Sequence, residues 1–177
     1  MRIHRLLVGV VSALALWSSV GSPVQARQGQ APTLVDVVRA AVQPFGNPED
    51  AAGYGPFLGC VSGPQGGAMG VHYVNGTLID TEIDPTRPEA LIYEPGSNGR
   101  YQLVGVEFIV PAGPWDAAHP GQPPVLMGQV YNYVGSPNRY GIPAFYELHV
   151  WTGKANPDGA FADWHPHVSC DKYVPQD

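Results

Sequence analysis

From Phe57 onward no apolar run goes far before a glycine or a proline breaks it, and the chain carries 22 Gly and 19 Pro in 177 residues. That punctuation argues against a bundle of long helices and for short extended segments joined by turns. Strands are predicted near 68–74 (AMGVHYV), 88–94 (PEALIYE), 101–110 (YQLVGVEFIV), 124–133 (PVLMGQVYNY) and 143–152 (PAFYELHVWT), with a brief one at 167–170. The turn cluster PGSNGR between the second and third suits an antiparallel hairpin. In 101–110, Leu103 and Ile109 fall on one face and Val104, Val106 and Phe108 on the other, so this strand is expected at the centre of a sheet covered on both sides. PAGPWDAAHPGQPP and GSPNRYGIP read as surface excursions.

One segment has helical spacing instead. TLVDVVRAAVQPF places Leu34, Val37, Val38, Ala41 and Val42 on one face, opens with Thr33 three residues before Asp36 as a capping-box variant, and meets Pro44 at its end. The expected fold class is therefore α+β: a mainly antiparallel β-sheet, curled towards a barrel, with one N-terminal helix packed on it.

The opening stretch MRIHRLLVGVVSALALWSSVGSPVQA sets Arg2 and Arg5 ahead of an apolar run from Leu6 to Trp17 and closes on Val24-Gln25-Ala26. This is the pattern of a secretory signal peptide, with an apolar region too short for an ordinary membrane span. Residues 1–26 are read as signal peptide, 27–32 as a flexible leader and 33–177 as a single globular domain. The product is expected to be exported, secreted or periplasmic, with no membrane span in the mature chain. Losing two arginines and no acids leaves 7 Lys+Arg against 15 Asp+Glu, a formal charge of −8 that makes nucleic acid and anionic lipid poor partners. Cys60 and Cys170 are the only cysteines. In an oxidising compartment such a pair is most simply a disulfide; two ligands of a metal site are the alternative, disfavoured because neither cysteine sits in a CxxC-type pair.

Chemistry concentrates where polar residues interrupt apolar strands. His72 lies in AMGVHYV, Glu107 in LVGVEFIV, and Glu147 with His149 in FYELHVW. Side chains alternate along a strand, so Phe145, Glu147, His149 and Trp151 share one face and Tyr146, Leu148 and Val150 the other. If the three strands are neighbours in phase, the four polar residues form a cluster inside a cup. Neutral imidazole and carboxylate suit one divalent metal such as zinc, copper or iron, and two histidines with one carboxylate leave positions open for water or substrate. The same set without metal is a pocket for a small molecule or a general acid/base pair. A structural or interaction module with no ligand is the third reading, in which the carboxylates pair with tyrosines, backbone amides or histidines. Tyr73, Tyr93 and Trp151 are candidate pocket walls.

Other motifs carry less. SGPQGGAMG lacks the GK[ST] ending of a phosphate-binding loop and runs into a strand rather than a helix. His165 and His167 in DWHPHVSC form an HxH pair, but Pro166 between them suggests a loop or edge with both rings solvated. Asn75-Gly76-Thr77 is formally a glycosylation sequon that also reads as a turn. GxSxG and HExxH are absent.

The blocks GAMGVHYVN, DPTRPEALIYEP, LVGVEFIVP and YELHVWTGKANPDGAFADWHPHVSC, in order over about residues 60 to 170, resemble a family of small exported bacterial proteins of uncharacterised function. The resemblance implies a shared fold with a His, Glu and Glu-x-His arrangement at His72, Glu107, Glu147 and His149. It favours the strand cluster over the tail histidines and carries no particular activity, cofactor or substrate.

Overall fold

Thr33 and Asp36 start the fold as a reciprocal pair. In a computed structural model, which describes residues 31–63 and 66–175, Thr33 Oγ1 accepts from the Asp36 amide (3.2 Å) and Asp36 Oδ2 accepts from the Thr33 amide (3.1 Å). This capping box opens α1 (Leu34–Val42), which buries Leu34, Val38 and Val42 of the predicted apolar stripe and leaves its other two members, Val37 and Ala41, half-buried. The predicted signal peptide, and the leader as far as Gln30, lie outside the described residues.

Among the described residues eight strands follow: β1 (Gly55–Ser62), β2 (Ala68–Val74), β3 (Ala90–Pro95), β4 (Tyr101–Pro111), β5 (Val125–Leu126), β6 (Gln129–Val130), β7 (Asn132–Val134) and β8 (Phe145–Trp151). Six of them make one antiparallel sheet in the order β1-β2-β3-β4-β8-β7, curled into a half-barrel, and β5 and β6 pair separately. The fold is α+β, with α1 packed on one face of the sheet. That face holds the main core, in which Val71, Leu91, Tyr93, Val106, Phe108 and Leu148 meet Leu34, Val38 and Val42. The opposite face carries two smaller apolar clusters, around Ile92, Val104 and Trp151 and around Ala90, Ile109 and Phe145. β4 is central and covered on both sides, as its two apolar faces require.

Several segments differ from their sequence reading. The stretch 124–133 is not one strand. Met127 (φ 47°) and Gly128 (φ 88°) form a left-handed two-residue turn that folds β5 back on β6, and Asn132 then starts β7. β1 was hidden in Gly-rich sequence, and it skips two residues between Phe57 and Cys60 against β2. The excursion after Pro111 contains a second helix, α2 (Ala112–Ala118), which buries Trp115. Instead of a strand at 167–170, a single bridge joins His165 to Ala68. Val104 also changes face, because a register shift opposite Ile92 and Tyr93 leaves it as the extra residue of a bulge.

In the tail from Thr152, Val168 and Cys170 cover the second face of the sheet, while Phe161 and Tyr173 pack against the main core. Cys60 and Cys170 are joined by a disulfide with Cα atoms 5.7 Å apart. Lys154 Nζ reaches Glu94 at 2.7 Å, and Glu94 Oε1 accepts from the Ser169 amide. Among the described residues no helix is long and apolar enough to cross a membrane.

Candidate metal centre

The face of the sheet opposite α1 gathers the four polar residues. Glu107 on β4 pairs directly with His149 on β8, and Glu147 lies opposite Ile109. His72 is on β2, two strands from Glu107, with β3 between them. The β3 residue beside Glu107 is Ala90, whose methyl group leaves room for the two longer side chains to meet above it. His72 Nε2 stands 3.3 Å from Glu107 Oε2, and the His72 and His149 rings meet edge to face with centroids 6.0 Å apart. One donor atom each from His72, Glu107 and His149 lies within 4.8 Å of the other two. Two ligands of a tetrahedral zinc ion stand about 3.4 Å apart, so the His72–Glu107 spacing already matches and His149 has little distance to close.

Burial sets the protonation of the group. His149 is 1% exposed and His72 6%. Desolvation pushes His72 down to about 4, against a hydrogen bond with the Gly70 backbone that acts the other way. It pushes His149 down to about 3, helped by His72. Both rings are therefore neutral at pH 7, the form that ligates metals. Glu107 is held well above the usual carboxylate range by burial first and by the Glu147 charge second, and the two carboxyls hydrogen-bond to each other. Burial raises Glu147 as well, although the bond from Glu107 opposes the shift. The pair holds a proton that a cation arriving at Glu107 would displace.

The hydrogen-bond pattern is incomplete at the middle of the cluster. Neither ring nitrogen of His149 has a partner among the described residues, and Glu147 Oε2 also lacks one. Buried polar groups of this kind ordinarily find a partner or hold a ligand. The missed contributor is Asp163, which the tail carries to within 3.8 Å of His149 Nδ1. That distance is too long for a hydrogen bond, and the ring is neutral. Asp163 Oδ1 is instead fixed by Asn132 Nδ2 at 2.9 Å. Glu147, His149 and Asp163 also bring donor atoms within 4.8 Å of one another. No period marks Asp163 in the sequence, because it lies in a turn; its one signal is an acid between Phe161 and Trp164, aromatics able to fasten the tail.

Of the three wall candidates, only Trp151 lies on this face. Its indole covers Gly105, where a Cβ would sit 3.2 Å from the ring, and its Nε1 donates to Ala162 O at 2.6 Å. Tyr73 and Tyr93 project to the α1 face, their rings 5.2 Å apart, and the Tyr93 hydroxyl donates to Phe45 O. They do not wall the cluster, because they follow His72 and Ile92 by one residue and alternation sends them the other way. His165 also departs from its reading. It is fully buried, with its ring edge on Trp151 at 4.9 Å and its Nδ1 accepting from the His167 amide, while His167 is exposed. The backbone bonds between His165 and Ala68 draw it inward. A further buried carboxyl, Glu89, accepts from the Ile109 amide at 2.9 Å and is pushed up to about 7 by burial.

No protein-family model, curated protein or solved structure matches this chain. What the centre can do is read from its own geometry. An apolar cavity of about 180 Å³ opens beside it, and His72 and Glu107 are among the residues that line it.

Proposed function

We propose that the chain is an exported metal-binding protein in which His72, Glu107 and His149 hold one divalent ion of the zinc, iron or copper class. The observation that carries this reading is the convergence of three donors from β2, β4 and β8 within 4.8 Å, with both nitrogens of the buried His149 unpartnered among the described residues. Two neutral imidazoles and one carboxylate suit such an ion and leave part of its coordination free. Purely structural pairing accounts less well for the same residues, since it would satisfy His149 rather than bury it without a hydrogen bond. The disulfide and the lack of a membrane-spanning helix among the described residues are compatible with export.

A second reading, a metal-dependent acid/base enzyme at the same place, draws on Glu147. Its carboxyl is raised towards neutrality and one oxygen is free beside Glu107, which suits a general base acting on a metal-bound water. Elemental mass spectrometry of the untagged protein, purified after growth with zinc, copper and iron, tests the first reading. Near-stoichiometric metal, lost in His149→Ala and kept in Glu147→Gln, is expected. Absence of all three metals from the native protein would end it. Hydrolytic activity present in the native protein and abolished in metal-loaded Glu147→Gln would favour the second.

A further inference from the structure

The cavity beside the centre has a chemistry of its own. Phe57, Leu58, Ile79, Ile142 and Phe145 supply apolar walls, His72, Glu107 and Tyr140 supply the polar groups, and among the described residues no lysine or arginine lines it. Ile142 is held in place by Asn138, whose side chain donates to Ile142 O at 2.9 Å and accepts from the Tyr140 amide. Across the cavity, Leu58 lies in the β1 bulge with φ 58°, a left-handed conformation that a branched side chain adopts only where its surroundings impose it. The bulge ends at Cys60, which the disulfide fixes. Leu58 and Phe57 remain 53% and 36% exposed, so these large apolar groups stand at the mouth instead of completing a core. Strained backbone of this kind gathers at ligand clamps.

Size and charge narrow the occupant. Apolar cavities of roughly 150 Å³ are known to hold benzene, so this one takes about one ring or a short aliphatic chain. Among the described lining residues no basic side chain offers a free carboxylate a countercharge, whereas the Tyr140 hydroxyl and the His72 ring suit a neutral oxygen. An ion on His72, Glu107 and His149 would offer one open side to a single oxygen.

We propose that this cavity binds a small apolar phenol or alcohol, with its body between Leu58 and Ile142 and its oxygen on the bound ion. The position of the oxygen rests on the metal reading above, whereas the seat for the apolar body rests on the cavity alone.

The test uses the purified protein in metal-free and cobalt(II)-loaded forms, with phenol and toluene as probes. Phenol is expected to shift the visible bands of the cobalt protein, and to bind that form at least about tenfold more tightly than the metal-free one. Toluene should bind both forms alike. Ile142→Trp, which fills the cavity, should abolish both signals while cobalt stoichiometry is unchanged. Leu58→Gly, which suits the left-handed backbone and removes a wall, should weaken phenol several-fold. Failure of both probes to bind either form would overturn the proposal, whatever the metal content. Phenol binding that is equal with and without cobalt, and leaves the bands unmoved, would overturn the placement of the oxygen. Absence of cobalt binding, with toluene still bound, would remove the metal reading and leave the apolar seat standing.

Discussion

Replacing His149 by Gln should flatten the acid sensitivity of the metal-free protein by a predictable amount. The folded ring titrates near 3, against 6.5 for a free imidazole, so an unfolded chain takes up a proton between these values that the folded chain refuses. The stability that depends on a neutral His149 is therefore complete above pH 6.5 and is lost as pH falls towards the folded value. Between pH 7.5 and 5.0 the loss is about 2 kcal/mol for this one residue. His72, at about 4, adds a similar loss of ~2 kcal/mol. Glu107 and Glu147 work in the opposite sense, because their raised folded values favour the folded state as pH falls. Neither carboxyl owes its shift to His149, so both contributions cancel when the two proteins are compared. Gln keeps a polar side chain of similar reach and does not titrate. The assay is urea unfolding with a chelator present, at pH 7.5 and 5.0, for wild type and His149→Gln. Wild type should lose about 2 kcal/mol more than the variant over that interval. Parallel losses would mean that His149 accepts a proton in the folded state near its ordinary value. It would then be solvated, and the buried neutral donor on which the proposed metal centre depends would not exist.

Three other outcomes follow from the same geometry. Zinc affinity should fall by up to about tenfold for each unit of pH below neutrality, as the ion displaces the proton shared by Glu107 and Glu147; a titration showing constant affinity from pH 7 to 5.5 would contradict this. Ala90→Val, by filling the gap across which His72 reaches Glu107, should reduce metal stoichiometry and lower stability by about 1–3 kcal/mol through overpacking, checked by elemental analysis and urea midpoint. Replacing Cys60 and Cys170 together by Ala opens a loop with a sequence separation of 110, and should lower the unfolding free energy by about 4–5 kcal/mol in chemical denaturation.

How much of this could be read from the sequence depends on which force placed each residue. The helix was legible because its cap and apolar stripe are local, within Thr33 to Val42. The shared face of Phe145, Glu147, His149 and Trp151 was legible because β8 runs without a bulge from Phe145 to Trp151. The disulfide followed from having just two cysteines. Tyr73 and Tyr93 were misplaced although strand alternation alone sends Tyr73 away from His72; their aromatic character outweighed their phase. Val104 was beyond alternation, since a bulge resets the phase and its position depends on the partner strand. Asp163 and the buried His165 were hidden for another reason. Both lie in a tail positioned by long-range contacts, Asn132 to Asp163 and Ala68 to His165, which leave no periodic trace. Ala90 shows the same limit from the other side: the meeting of His72 and Glu107 depends on a small residue in a strand that neither of them belongs to.

In the proposed metal-binding protein, one ion sits among His72, Glu107 and His149. Anomalous diffraction from crystals grown with zinc, recorded on both sides of the zinc edge, locates such an ion directly. The expected result is one strong peak at bonding distance, about 2.0–2.2 Å, from a nitrogen of each histidine and an oxygen of Glu107. A peak held only by Glu147, His149 and Asp163, or no peak on this face of the sheet, would contradict it.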